Sequence, residues 1–471
     1  MRVIIAVIIL SSFFVSNAQA FLEPSFRLKA LGEDFVGLVP DQYSDIFRNP
    51  AYLGQVEGWK ILGEYRRDRS LHYNFGLATP STQLGKFGLV VKEWRGENSN
   101  SQEQKYKYID YYYIPSYLVL TNNYSQREDI TKNRGLDFLY SCPLISDWKL
   151  GLSVFYDELK SEFEAGFINL STTVDFDTFL VLAEREAISL SSLLSSNKST
   201  TVSIGIVKAG EQNSSLDFKL AYRHFNSELG TFEERLTVER NYYYDSLGQH
   251  VSQYSLYTKR DIDSPVEKGD TWSFAGVLRR EVSEYSSLSG QVILSLSSSD
   301  FRGKYFDYRL YQDSLSLSDS NLFQGDKNNI NLDLGLAWQS SKSGKAHLFI
   351  GVRNILSWEK QDFPDFLRFP PAEKYRNTFH RLTIPLAAEI FPWQKFAVRI
   401  GALPSYIFQK GYQFSPYSTS FAAFTSRRES LTYTLGFSVN PTRGLKVESY
   451  YLGSSPLDDL QSWNLGVTYD F

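Results

Sequence analysis

The sequence predicts an all-β protein: a transmembrane antiparallel β-barrel of about 16 strands (range about 14–18), behind a small, partly helical N-terminal plug. Three observations predict it. Apolar and polar residues alternate with period two in many segments along the 471 residues. The connections between those segments alternate between short and long. The chain also opens with an export signal.

The export signal is compact. Arg2 is a minimal positive start, Val3 to Leu10 is unbroken apolar sequence, and Phe13 to Val15 extends it. Ala18-Gln19-Ala20 is a small-x-small cleavage site, so residues 1–20 read as a signal peptide and the mature chain is expected to begin at Phe21. The apolar run falls well short of the ~18 residues of a spanning helix. No Cys follows the cleavage site, which argues against a lipoprotein.

Composition narrows the partners. Loss of Arg2 with the leader takes the net charge from −4 to −5, and an acidic chain is a poor match for nucleic acid. Cys142 is the single cysteine, so no internal disulfide is possible. Aromatics make up 15% of the chain, with 31 Tyr and 34 Phe, which suits two interfacial aromatic girdles and a surface in contact with outer-membrane lipid.

Residues 58–471 carry the barrel pattern. Leu71, Tyr73, Phe75 and Leu77 share one face; so do Leu216, Phe218, Leu220 and Tyr222, and Ile330, Leu332, Leu334, Leu336 and Trp338. Leu431, Tyr433, Leu435, Phe437 and Val439 repeat the pattern. Short polar turns are expected near 79–85, 142–148, 208–214, 281–286, 340–345, 391–394 and 440–444. Long outer loops are expected near 95–133, 159–199, 226–269, 299–328, 355–378 and 404–429, with a hairpin rising above the membrane at 232–260. Segregation of loop length by end of the sheet is a barrel property: short periplasmic turns, long outer loops. The opposite phase of these strands faces the lumen and places Asp217, Lys219, Arg223, Asp333 and Arg399 there. They are polar conduit groups, or charges that pair with one another and with the plug.

The chain closes on Ser462–Phe471, in which Trp463, Leu465, Val467, Tyr469 and Phe471 form one apolar face. This resembles the C-terminal strand of bacterial outer-membrane barrels, whose terminal Phe is the signal read by the barrel-assembly machinery. The resemblance implies a cell outer-membrane location in a Gram-negative-type envelope.

Residues 21–57 do not alternate. Asp41 is placed to cap a short helix over 42–48, and Pro50 ends it by restricting Asn49. The block Asp41 to Leu53 (DQYSDIFRNPAYL) resembles the D-x-x-x-A-x-x-x-N-P-A-G-L block of the FadL-like long-chain fatty-acid transporters and the PorV-like outer-membrane proteins. That resemblance implies a plug, or hatch, in the barrel mouth, with Asp45, Asn49, Pro50 and Ala51 as its gate motif. It implies a porin-like transport role for hydrophobic or amphipathic small molecules. The alternatives are a PorV-like platform that binds secreted proteins, or a structural barrel without transport. Two positions depart from the family pattern: Tyr52 stands where Gly follows NPA, and Glu33-Asp34-Phe35 replaces a Gly-rich run.

No enzymatic set is expected. The five His (His72, His224, His250, His347 and His380) form no HxxxH or HExxH pair, and there is no GxSxG elbow. They are expected to face the lumen or turns as ordinary polar residues. No cofactor and no metal are expected.

Overall fold

The computed structural model describes residues 25–56, 60–67, 70–79, 85–110, 117–145, 147–175, 181–209, 214–245, 248–311, 314–342, 345–362, 374–415, 420–442, 445–453 and 463–470. Alternation produces strands along almost its whole length. They are β1 (Lys60–Arg67), β2 (Ser70–Ala78), β3 (Lys86–Asp110), β4 (Tyr117–Ile145), β5 (Trp148–Asp175) and β6 (Val181–Ala209). Next come β7 (Ser215–Asp245), β8 (Gly248–Ser283), β9 (Ser286–Tyr311), β10 (Ser314–Lys342), β11 (Ala346–Asp362) and β12 (Lys374–Thr383). The last are β13 (Leu386–Trp393), β14 (Phe396–Ser415), β15 (Ser420–Thr442), β16 (Leu445–Gly453) and β17 (Trp463–Asp470).

Each strand pairs antiparallel with its sequence neighbours, except that β12 and β13 do not pair with each other, and β17 returns to β1 with Lys60 opposite Asp470. The sheet is therefore a closed barrel with no free edge, which is what a strand needs to cross hydrocarbon. Among the described residues the sheet has 17 strands, of which β12 and β13 share both neighbours, β11 and β14. They are one barrel stave interrupted at Ile384-Pro385, where Pro385 lacks a donor. The carbonyl of Pro385 still accepts from Gly351 N at 2.9 Å. Counted as staves the barrel has about 16, an even number as single-chain bacterial barrels have. All seven expected short turns fall between consecutive strands at one end.

The alternation puts unlike residues on the two faces. Phe138, Leu152, Val154, Ile204, Leu278, Leu294 and Leu336 point outward and are exposed. Their neighbours Asp137, Ser153, Ser203, Arg279 and Ala337 are buried inside. Aromatics mark both borders of this belt. Trp272 and Tyr222, 4.8 Å apart, lie toward the outer end. Phe87 and Tyr140 (5.1 Å) and Trp393 and Phe396 (5.6 Å) lie beside the short turns.

The long connections are corrected by the structure. In 355–378 and 404–429 the described residues belong to β11, β12, β14 and β15, and in 95–133, 159–199, 226–269 and 299–328 the described residues are not loops but continuations of β3 to β10. Those strands run from 25 residues in β3 to 36 in β8. Crossing takes about 10 residues, so at a tilt of about 45° the rest of the 36-residue β8 projects roughly 60 Å beyond the lipid. Strands β1, β2, β16 and β17 have only 8 or 9 residues, so the rim is a tall wall on one side and low on the other. Above the membrane both faces are wet. Hydrophobic alternation then fades although the hydrogen-bond ladder continues, so the sequence reads as loop.

Candidate functional site

The site is the lumen and the segment within it. Ser25 accepts from Leu28 N and starts helix α1 (Phe26–Leu31). A 3₁₀ turn, Glu33–Phe35, follows. Asp41 accepts from Ser44 N at 2.9 Å and caps helix α2 (Gln42–Arg48). Asn49 then caps a 3₁₀ turn, Pro50–Gln55, by accepting from Ala51 N. Neither helix is long enough to be stable alone, so tertiary contacts hold the segment.

Those contacts reach across the lumen. Leu28, Leu31, Phe35, Val36 and Leu38 pack with Ala337 of β10 and Phe349 of β11. Ile46, Phe47, Ala51, Tyr52 and Leu53 pack with Val90, Leu139 and Val207 of β3, β4 and β6. Two barrel glycines admit the segment. A Cβ on Gly151 would lie 2.0 Å from Ala51 N, and one on Gly205 would lie 2.0 Å from Asn49 Oδ1.

Four groups of ion pairs among the described residues pin the segment. Arg48 meets Asp217 of β7 with Nη1–Oδ1 and Nη2–Oδ2 distances of 2.6 Å. Tyr52 donates its hydroxyl to the same carboxylate at 2.6 Å. Asp45 accepts a fork from Arg279 of β8 at 2.7 and 2.8 Å. Arg27 donates to Glu389 of β13, which also accepts from Arg399. Arg399 continues to Glu448 of β16 at 3.0 Å. Asp34 accepts from Arg381 of β12 at 3.1 Å and lies 3.8 Å from Arg353, which is itself paired with Asp333. Forked, charge-assisted pairs of this kind are directional as well as strong.

The pairing fixes protonation. Burial pushes the Asp45 carboxyl up, but Arg279 and Arg48 outweigh it and hold it below the usual carboxylate value. Burial pushes the Tyr52 hydroxyl up to about 12, against the pull of Arg279 and Arg48. Tyr52 thus remains a donor to Asp217 at neutral pH.

The residues singled out in the sequence fall as follows. Asp45, Asn49, Pro50 and Ala51 are buried in the segment. Asn49 donates to the carbonyls of Ile206 (3.3 Å) and Phe218 (3.0 Å), and Ser141 donates to Ala51 O at 3.1 Å. Asp217, Asp333 and Arg399 are buried in the ion pairs, while Lys219 and Arg223 line an open part of the lumen. Leu465 and Val467 of β17 are exposed on the outer face. Phe471 lies outside the described residues, and for Trp463 and Tyr469 the structure gives the strand ladder alone. The histidines are corrected in part. His224 and His380 lie on the outer face, bonded to Asp270 (2.9 Å) and Asn354 (2.6 Å). His72 and His250 are in β2 and β8, and His347 of β11 stacks near Phe349 and faces inward. Arg279, Arg353, Glu389 and Glu448 were not singled out in the sequence. Each sits in the inward phase of its strand, a signal available once the register is known.

Above Phe47 and Arg48 lies a chamber with a cavity of about 120 Å³. Its walls are hydroxyl ladders from adjacent strands: Ser153 to Ser203 at 2.7 Å, Ser273 to Ser295 at 2.9 Å, and Thr271 beside them. Lys92, Asp137, Lys219 and Asn331 also face it.

No family model and no curated protein matches this chain. Among solved structures, it is similar to the TodX deltaS2S3 mutant monoaromatic hydrocarbon channel at 10% identity and a TM-score of 0.39, over 91% of this chain and 94% of that one. It is similar to the translocator domain of the autotransporter NalP from Neisseria meningitidis at 13% identity and a TM-score of 0.26, over 63% and 90%. The ferric enterobactin receptor PfeA of Pseudomonas aeruginosa, as its R480A_Q482A mutant, follows at 9% identity and 0.31, over 88% and 81%. The barrel of this chain rests on its own closed strand ladder.

Proposed function

We propose that this protein is an outer-membrane barrel that takes a small solute into the luminal chamber and passes it when residues 25–56 shift. In this reading the segment is the plug. One observation carries it: Arg48 and Arg353, which pin the segment, also line the chamber, so an occupant there touches the latch itself. The hydroxyl-lined wall favours an amphipathic or polar solute over a pure hydrocarbon. The test is uptake into proteoliposomes containing the purified barrel. Uptake of small amphipathic solutes above that of empty liposomes supports the reading, and equal uptake sinks it.

A platform for a secreted protein is the second reading, favoured by the wall of β4 to β7. The register there is continuous through Tyr117–Asp175 and Thr173–Ala183, so one face runs unbroken from the lipid belt upward. Beyond a charged zone at Glu158, Lys160 and Lys198, that face exposes Ile168, Leu170, Leu190, Leu194 and Leu236. Glu128, Glu162 and Glu164 border this patch, so the partner it fits is an apolar protein surface with a basic rim. A pull-down from detergent extract distinguishes the readings. A stoichiometric basic partner, lost in a Leu190→Glu, Leu194→Glu variant, favours the platform. A barrel recovered alone favours transport.

A further inference from the structure

The chamber holds charge that the latch does not use. Asp137 of β4 is 7% exposed, and its Oδ1 has no hydrogen-bond partner. Thr201 Oγ1, in a residue 9% exposed, and Asn331 Oδ1, in a half-buried residue, face the same cavity from β6 and β10 and also lack a partner. Three buried oxygens therefore lack a donor, although most buried polar atoms in folded proteins have one. Among the described residues, Lys219 of β7 forms no ion pair within reach of a carboxylate. The ammonium of Lys92 lies over the rings of Phe47 (4.9 Å) and Phe155 (5.4 Å), also without a carboxylate partner. Neither lysine bonds to Asp137 Oδ1.

We infer that the chamber is a binding site for a small zwitterion, a molecule carrying both an ammonium and a carboxylate. Its ammonium donates to Asp137 Oδ1, with Thr201 and Asn331 as further acceptors. Its carboxylate is held by Lys219 and Lys92. A simple anion would leave Asp137 unsatisfied and repelled, and a simple cation would do the same to the lysines. A molecule with both charges satisfies all of these groups at once. The volume sets the size: about 120 Å³ is slightly below the ~150 Å³ of a protein cavity that accepts benzene, so the ligand has roughly six non-hydrogen atoms. Amino acids of alanine size fit, and tryptophan does not. Phe47 and Arg48 form the floor, so the bound molecule rests on the segment that closes the lumen.

This inference rests on the chamber being open to solute, as the transport reading requires. The experiment uses the full-length barrel in detergent, titrated calorimetrically with L-alanine, acetate, ethylamine and L-tryptophan. L-Alanine is expected to bind saturably, with acetate and ethylamine weaker by about tenfold or more. Asp137→Asn is expected to abolish the preference for alanine over acetate, and Lys219→Met the preference over ethylamine. If either protein fails to fold, Thr201→Val, which keeps the side-chain shape, must weaken alanine binding. Equal binding of the four probes, or none, overturns the site. Solute flux through proteoliposomes is measured on the same preparation. Flux without alanine binding leaves the transport reading standing and removes the site, and binding without flux does the reverse.

Discussion

Arg48 and Asp217, 169 residues apart, meet fork to fork at 2.6 Å on both prongs, with side chains 2% and 0% exposed. Between them they join the N-terminal segment to the barrel wall. A buried pair like this is costly to break from one side, because the remaining charge has no water to turn to.

Asp217→Ala is therefore expected to undock the segment at a cost of about 3–5 kcal/mol. Limited proteolysis reads the outcome. Cleavage within residues 25–56 should become fast while the barrel still migrates as a heat-modifiable folded band. The double variant Arg48→Met, Asp217→Met should recover much of the protection, because no charge is left unpaired.

Gly151→Ala tests the close approach at Ala51. The added Cβ would fall on backbone, which cannot swing aside, so the substitution should weaken docking by about 1–3 kcal/mol. The same change at Gly166, whose nearest neighbour is a leucine methyl at 3.6 Å, should leave protection unchanged.

Docking should also define a pH window. Asp45 has a lowered pKa when docked, so its contribution is present above the free carboxylate value of about 3.9 and is lost as pH falls through the lower docked value. Tyr52 is raised to about 12, so its contribution is present below the free tyrosine value of about 10 and is lost as pH rises through 12. Proteolytic protection of the segment should stay flat from roughly pH 4 to 10 and fall on both sides. A loss centred near pH 6 or 7 would contradict these pairings.

The sequence was legible where the two faces of a strand meet different media. Inward phase alone placed Asp217, Asp333 and Arg399, and the turn residues located all seven short connections. It was illegible above the membrane, where β7 and β8 continue with water on both sides and the apolar period disappears. Partners such as Arg279 and Glu389 were hidden for another reason: pairing to residues over 200 positions away depends on register around the closed barrel. The two positions at which the segment differs from the block it resembles are anchors. Tyr52, in place of Gly, supplies the hydroxyl to Asp217. Asp34 and Phe35, in place of a Gly-rich run, meet Arg381 and pack on Phe349.

The outward phase predicts a different cost. Leu334→Arg places a charge on the lipid face of β10, between Ile330 and Trp338, and should destabilise insertion by about 2–4 kcal/mol. Ala337→Ser, on the inner face of the same strand, should cost far less. Urea titration of folding into lipid bilayers compares the two.

The central claim is that residues 25–56 close the lumen of a barrel that stands without them. Single-channel recording in planar bilayers tests it, comparing the full protein with a deletion of residues 25–56 that retains residues 1–24. The strand ladder closes through β1 and β17 without the segment, so the deletion protein should fold. The full protein should conduct near zero, and the deletion should show a stable open level. A folded deletion protein that stays closed would contradict the account and assign closure to the wall above the membrane.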